Sequence, residues 1–179
     1  MNLADRWHRI QSKTIGGYRI FTIREDRYRL PRHHQEAPFY VLGSNDWVNV
    51  IPMTQNEEVL LIRQFRFGIE GVTVEIPGGI VDSGHAPLEA AQKELLEETG
   101  YTSDLWEYLG VVHPNPAFLN NRCHSFLARN VKKTAEISLE ESEEIEMFQV
   151  PYREIKKLIG QGVITHSLVI CAFHLYQNR

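Results

Sequence analysis

The chain has 179 residues, enough for one well-filled domain and hardly for two. Hydrophobic residues make up 42% and charged residues 23%, which excludes a disordered chain. A formal net charge of −4 and a pI near 6.1 give no electrostatic basis for holding a nucleic-acid backbone, which needs clustered Lys and Arg.

The first half alternates in the manner of strands. Residues 18–24, 39–42 and 47–52 read as three of them, with the turn residues Gly43, Ser44, Asn45 and Asp46 between the second and third. Residues 54–58 form a further turn into a strand over 59–64, so a hairpin is expected there. Another strand covers 72–76 and runs into Pro77-Gly78-Gly79. The period then changes from two to about 3.6. A helix is predicted over 87–99, with Pro87 in its first turn and Gly100 as a left-handed stop. Its apolar face is Leu88, Ala91, Leu95 and Leu96. Strands resume over 106–112 and 124–128. An acidic run, 140–144, precedes a strand over 145–150. Pro151 opens a helix to about 159, which Gly160 and Gly162 close, and a last helix covers 165–176. Strands, helix, strands and two helices give a mixed α/β or α+β domain.

Cys123 and Cys171 are too few and too far apart for a disulfide scaffold or a metal motif, and two thiols suit a reducing, cytoplasmic setting. The start, MNLADRWHRI, lacks the apolar stretch of a signal peptide. The longest apolar stretch, 163–176, is broken by Thr165, His166, Ser167 and His174, so it is too short and too polar to span a bilayer.

Glu94, Glu97 and Glu98 stand at i, i+3 and i+4 of the predicted helix, so their carboxylates share one face. Such like charges repel unless a cation sits among them. A hard divalent ion with oxygen ligands, Mg²⁺ above all, is the natural occupant; a solvated acidic face is the alternative. The turn Pro77-Gly78-Gly79 lets backbone approach a metal or a phosphate closely.

In this combination the segment 79–101, GIVDSGHAPLEAAQKELLEETGY, resembles the box of the Nudix hydrolase family. That box runs Gly, five residues, Glu, seven residues, Arg-Glu, an apolar residue, any residue, Glu-Glu, any residue, Gly, apolar. Gly79, Glu94, Leu95, Glu97, Glu98, Gly100 and Tyr101 match. His85 stands in place of the first Glu and Lys93 in place of Arg. The strands around Gln64-Phe65-Arg66 and Glu75-Ile76-Pro77-Gly78-Gly79, Pro116 fifteen residues after Tyr101, and the Glu143-Glu144-Ile145 run are similar to the branch that cleaves ADP-ribose and nucleotide sugars. The likeness covers roughly residues 15–176.

The resemblance implies a Nudix fold: a mixed sheet between helices, with N-terminal antiparallel strands. The chain is then a single domain over 1–179, residues 1–45 being a strand extension that takes part in a homodimer. It implies Mg²⁺-dependent hydrolysis of a nucleoside diphosphate linked to a sugar, Mn²⁺ being a possible substitute. The metal is held by Glu94, Glu97, Glu98 and the Gly78 carbonyl. Glu144, then Glu143, is the branch's candidate base, with a solvated acidic loop as the alternative. Arg66 is the phosphate-binding candidate, because Arg matches phosphate oxygens bidentately. Glu75 lies near the metals or in an edge salt bridge. Tyr40 and Phe118, with Phe39 and Trp47, are candidates for stacking the base, although aromatics are more often core. Pro116 lies on the loop that walls the sugar side. The altered box positions leave Lys93 to supply a charge without a fork, pairing with Glu89, and His85 as either a neutral hydrogen-bonding substitute or a loop residue. They also favour a second reading, a Nudix-like domain that binds nucleotide without cleaving it. A third is a Nudix hydrolase of another nucleotide.

Overall fold

A computed structural model describes residues 2–32, 35–139 and 144–179. The chain forms two units, Met1–Asn45 with His113–Arg122, and Asp46–Val112 with Cys123–Arg179.

In the first unit, β1 (His8–Gly17), β2 (Thr22–Arg29) and β3 (Glu36–Gly43) make an antiparallel sheet in the order β1-β2-β3. The strand expected over 18–24 therefore straddles the β1–β2 turn, where Tyr18 N–H donates to the Phe21 carbonyl at 2.8 Å. On this sheet Asp26 is buried, and the Arg24 guanidinium grips its carboxylate at 2.9 Å while Arg9 approaches to 3.6 Å. Trp7, Tyr28 and Phe39 meet edge to face. The loop 113–122 joins this unit through Leu42 N–H, which donates to the Phe118 carbonyl at 2.8 Å.

The second unit is built on β4 (Trp47–Met53), β5 (Glu58–Arg66), β6 (Gly71–Glu75), β7 (Gly78–Ile80), α1 (Pro87–Thr99), β8 (Tyr101–Thr102), β9 (Leu105–Val112), β10 (Cys123–Arg129), β11 (Lys132–Lys133), β12 (Ile145–Pro151), α2 (Tyr152–Gly160) and α3 (Ser167–Gln177). Its main sheet runs β12-β5-β4-β10-β9, with β6 on β5 and β7 on β4. β4 and β10 are parallel and their neighbours antiparallel, so the sheet is mixed. The expected hairpin is present: Met53 pairs with Val59, and Thr54 N–H donates to the Glu58 carbonyl at 2.8 Å.

Both faces of this sheet are covered, which is why β4 reads as an almost continuous apolar run. Side chains alternate across the pleat. Val48, Val50, Phe126 and Ala128 pack against Ala90, Ala91 and Leu95 of α1. Ile51, Met53 and Leu127, one residue out of phase, pack against Ile155 of α2 and Val169, Ala172 and Phe173 of α3. Each fully buried Leu, Ile or Phe contributes about 1.5–3 kcal/mol by leaving water. The sandwich of helices about a mixed sheet is the expected fold class. No helix among the described residues is long and apolar enough to cross a membrane.

α1 has the predicted limits. Pro87 opens it, and Gly100, at φ 75°, closes it by donating its N–H to the Leu96 carbonyl at 2.8 Å. Leu88 is exposed rather than part of the buried face, and Ala90 takes its place. The other two helices begin one and two residues later than read, because Pro151 and His166 act as their N-caps.

Candidate active site

Helical spacing carries Glu94 and Glu98, one turn apart on α1, to the strand β7. β7 is held on β4 in the register Trp47↔Ile80, Val48↔Gly79, Asn49↔Gly78. Glu98 is only 2% exposed, and its Oε2 accepts the Gly78 N–H at 2.9 Å. Glu94 closes over the next residue: a Cβ on Gly79 would lie 2.2 Å from Glu94 Oε1. A Cβ on Gly78 would lie 2.3 Å from the Val48 carbonyl oxygen. The Gly-Gly pair is thus a steric requirement, one glycine for the helix carboxylate and one for the neighbouring strand.

Glu97 is engaged differently. Its Oε2 lies 3.6 Å from Lys93 Nζ, and both side chains are substantially exposed. The Glu97 charge, working against partial burial and helped by Glu94 and Asp82, holds the Lys93 amine above its ordinary range. The expected partner, Glu89, is occupied elsewhere: its Oε2 accepts the Ala86 N–H at 3.0 Å and caps the start of α1. Lys93 therefore braces Glu97 rather than pairing with Glu89, because the cap at the first turn claims Glu89. His85 sits exposed in the preceding turn, its N–H donating to the Asp82 carbonyl at 3.1 Å, as a loop residue would.

Beside β7 opens a cleft of about 320 Å³, lined among others by Trp47, Asn49, Arg66, Glu75, Gly78 and His166. Glu75, at the end of β6, is 3% exposed. Arg66, at the end of β5, grips it with a two-pronged fork, Nε to Oε1 and Nη2 to Oε2, both at 2.7 Å. The Thr73 hydroxyl also donates to Glu75, and His166 Nε2 lies 3.8 Å from Glu75 Oε2. Burial pushes this carboxyl up, but the Arg66 hydrogen bonds and charge, with Thr73 and His166, outweigh it and hold the group below its ordinary value. Glu75 is therefore the buried member of an ion pair with Arg66, at the end of a strand, β6, that among the described residues pairs only with β5. For His166 burial dominates: it lowers the imidazole's proton affinity, Glu75 works against it and Arg66 with it, so the ring is held below its ordinary value.

Glu144 is exposed just before β12, while Glu143 lies outside the described residues. Tyr40, Phe39, Pro116 and Phe118 belong to the first unit, where all four are exposed. The general tendency of aromatics toward the core fails here because β3 and the 113–122 loop leave these side chains outside the packed clusters. Trp47 lines the cleft of the second unit. Arg63, on β5, is half exposed, with its guanidinium 4.3 Å from the Phe148 ring centroid and 3.4 Å from Glu146.

Asn49, Thr73 and His166 escaped the sequence reading. The available signal was a polar residue inside the buried run Val48-Asn49-Val50-Ile51, and a His interrupting the apolar stretch before the last helix.

A sequence model described as the NUDIX domain matches residues 45–172. That span exceeds half the chain and contains α1, β7 and the cleft. The chain belongs to the Nudix family. An ADP-ribose pyrophosphatase of Bacillus subtilis is 33% identical over 133 residues, covering 74% of this chain and 72% of that one. A methanol dehydrogenase activator of Bacillus methanolicus is 27% identical over 169 residues, covering 94% and 91%. The crystal structure of an ADP compounds hydrolase superposes with a TM-score of 0.85 over 96% of this chain and 92% of that one, at 18% identity, a likeness of fold. With these relatives the protein is a Nudix hydrolase, an enzyme of a family that generally works with divalent metal ions. Among the described residues no three His, Cys, Asp or Glu side chains gather as a metal-holding group. The Glu94 and Glu98 carboxylates, each set against the Gly78–Gly79 strand, offer hard oxygens. That chemistry fits a hard divalent cation.

Proposed function

We propose that this Nudix hydrolase cleaves the pyrophosphate bond of a nucleoside diphosphate linked to a sugar, ADP-ribose or a nucleotide sugar, in a Mg²⁺-dependent reaction. Water adds across the P–O–P bridge: one P–O bond forms, one bridging P–O bond breaks, and a nucleoside monophosphate and a sugar phosphate leave. The observation that carries the reading is the closure of Glu94 and Glu98 onto Gly78 and Gly79 at the edge of a cleft that also holds Arg66. The pyrophosphatase relatives support the substrate class.

In this reading Glu94, Glu97, Glu98 and the Gly78 carbonyl would hold the metal. When bound, the ion neutralises the diphosphate charge and orients it for in-line attack. The chain's own work is positional. The Gly78 N–H fixes the Glu98 carboxylate, Lys93 steadies Glu97, and Glu75 aims the Arg66 guanidinium along the cleft wall. Glu144 takes the proton from the attacking water. Tyr40, Pro116 and Phe118 are the candidate contacts for the nucleoside and sugar. A homodimer built through residues 1–45 and a cytoplasmic location belong to the same reading.

The test is a panel of ADP-ribose, GDP-mannose and other nucleotide sugars, incubated with Mg²⁺, Mn²⁺ or EDTA, with products resolved by chromatography. Monophosphate and sugar phosphate are expected with metal and neither with EDTA. No product from any member at high enzyme concentration overturns the proposal.

A further inference from the structure

One carboxylate oxygen at the Arg66 end of the cleft has two claimants. Glu75 Oε2 accepts a hydrogen bond from Arg66 Nη2 at 2.7 Å, and His166 Nε2 stands 3.8 Å from the same atom. The first distance is a charge-assisted hydrogen bond and the second is too long for one, so His166 waits behind Arg66. The residues differ in freedom. The Arg66 side chain is 41% exposed and the Glu75 side chain 4%, and both line the cleft with His166. Arg66 can turn toward an incoming anion, and Glu75 cannot follow it. His166 is held by backbone. It stands at the N-cap of α3, its carbonyl accepts the Ile170 N–H at 3.1 Å, and the Leu168 carbonyl accepts Asn49 Nδ2 of β4 at 3.1 Å. Nδ1 is buried without a partner, so a proton there would be a buried donor with no acceptor, and burial disfavours the doubly protonated ring. The single proton belongs on Nε2, facing Glu75, in a neutral imidazole.

We propose that His166 is a positioning residue for Arg66: its Nε2–H takes over Glu75 Oε2 when the Arg66 guanidinium turns from that oxygen to a phosphate group of the substrate. A movement of about 1 Å brings Nε2 within hydrogen-bond distance. Without that exchange a buried carboxylate would lose a charged donor as the substrate binds, and the cost would fall on affinity. A neutral donor suits the exchange because it gives Oε2 back when Arg66 returns, whereas an imidazolium would compete for it throughout. That the anion is a diphosphate rests on the pyrophosphatase reading; the shared oxygen does not.

The experiment uses the full chain. Calorimetric binding of ADP-ribose, GDP-mannose and inorganic pyrophosphate is measured in EDTA, and steady-state kinetics are measured with Mg²⁺. The variants are His166→Leu, His166→Asn and His166→Gln, alone and with Arg66→Gln, and thermal unfolding checks each fold. A glutamine amide nitrogen reaches the Nε2 position; an asparagine amide reaches only the Nδ1 position. His166→Leu and His166→Asn should weaken binding of every ligand that binds the parent, pyrophosphate included, and raise KM about tenfold with kcat within about twofold, and His166→Gln should recover most of the loss. Beside Arg66→Gln, His166→Leu should cost less than about twofold more, because the exchange has lost its partner. In the parent chain, ring ¹⁵N–¹H spectra assigned through the backbone should show His166 protonated at Nε2, that proton moving downfield as pyrophosphate binds. Equal losses in His166→Gln and His166→Leu, a full loss that persists beside Arg66→Gln, a penalty that spares pyrophosphate, or an unmoved Nε2 proton overturns the exchange. These effects without cleavage of either nucleotide sugar overturn the pyrophosphatase reading alone. Failure to bind any of the three compounds overturns both.

Discussion

Gly78 and Gly79 are neighbours on one short strand, yet the same substitution should do opposite things at the two positions. A methyl group on Gly79 meets Glu94 Oε1 at 2.2 Å and its Cδ at 2.5 Å. Those atoms are the far end of a flexible side chain, which can swing away at small cost. Gly79→Ala should therefore fold normally, with a melting temperature within about 4 °C of the parent, as a cost near 1 kcal/mol gives for a chain of this size. Its Glu94 carboxylate, however, will have left the strand. Losing a placed ligand or its support commonly costs about 10–100-fold, so kcat should fall by that factor at least.

A methyl group on Gly78 meets instead the Val48 carbonyl oxygen at 2.3 Å and Asn49 Cα at 3.0 Å, both backbone atoms of a buried central strand. Those atoms have nowhere to go without opening the β4–β7 pairing. Overpacking of this kind costs about 1–3 kcal/mol or more, and at about 2–4 °C per kcal/mol the upper figure lowers the melting point by about 6–12 °C. The assay is a paired one, thermal unfolding by circular dichroism beside turnover of the best panel substrate. If Gly79→Ala retained near-parental turnover, Glu94 would have no part in the chemistry. If both variants lost stability equally, the contrast between side-chain and backbone neighbours would be refuted.

Glu98→Gln keeps an oxygen for the Gly78 N–H but removes the charge, so turnover should fall by at least about 10²-fold while the melting temperature moves by no more than about 4 °C; near-parental turnover means the site is misplaced. Lys93→Arg preserves the charge beside Glu97 and restores a fork, so kcat/KM should hold or rise; a large loss would make Lys93 a substrate contact. Stability should fall as the solution is acidified. His166, held below its ordinary value of 6.5 chiefly by burial, takes up a proton more readily when unfolded, so unfolding gains as pH drops below that value. Glu75, held below 4.5 by Arg66 against its burial, adds a second loss as pH falls below 4.5. In melting curves from pH 4 to 7.5, His166→Asn should flatten the upper limb, and a curve unchanged by it would refute the assignment.

Legibility in the sequence followed locality. α1 was readable to the residue because Pro87 and Gly100 punctuate it and its period is strong. β1 was not: HRIQSKTIGG is exposed at every position but one, so it shows no buried face to alternate, and its strand character comes from pairing with β2. The reading placed a strand over the turn beyond it because Tyr18, Ile20, Phe21 and Ile23 carry high strand propensity regardless of where the chain reverses. The same division runs through the site. Glu94 and Glu98 are recoverable from spacing on one helix. The Arg66–Glu75 fork depends on the β5–β6 register, in which Ile62 lies opposite Glu75. Asn49 and Leu168 meet across 119 residues, a contact that no local pattern announces.

The two departures from the family box become intelligible once the contacts are assigned. In the proposed site the box Arg and Glu would brace the carboxylates assigned to the metal, and here the contacts to those carboxylates are divided. The Gly78 N–H fixes Glu98, Lys93 steadies Glu97, and Glu89 with Pro87 sets the start of the helix. Each needs only one contact. The Lys93–Glu97 pair is 3.6 Å long and well exposed, a place where a flexible point charge serves as well as a fork and where either contributes little to stability. Where planar two-point geometry is required, at the buried Glu75, the chain keeps an arginine and closes both prongs at 2.7 Å. Lys stands where a charge suffices and Arg where orientation is demanded, so the altered box is compatible with a working carboxylate set and gives no reason to read the domain as a binding module alone.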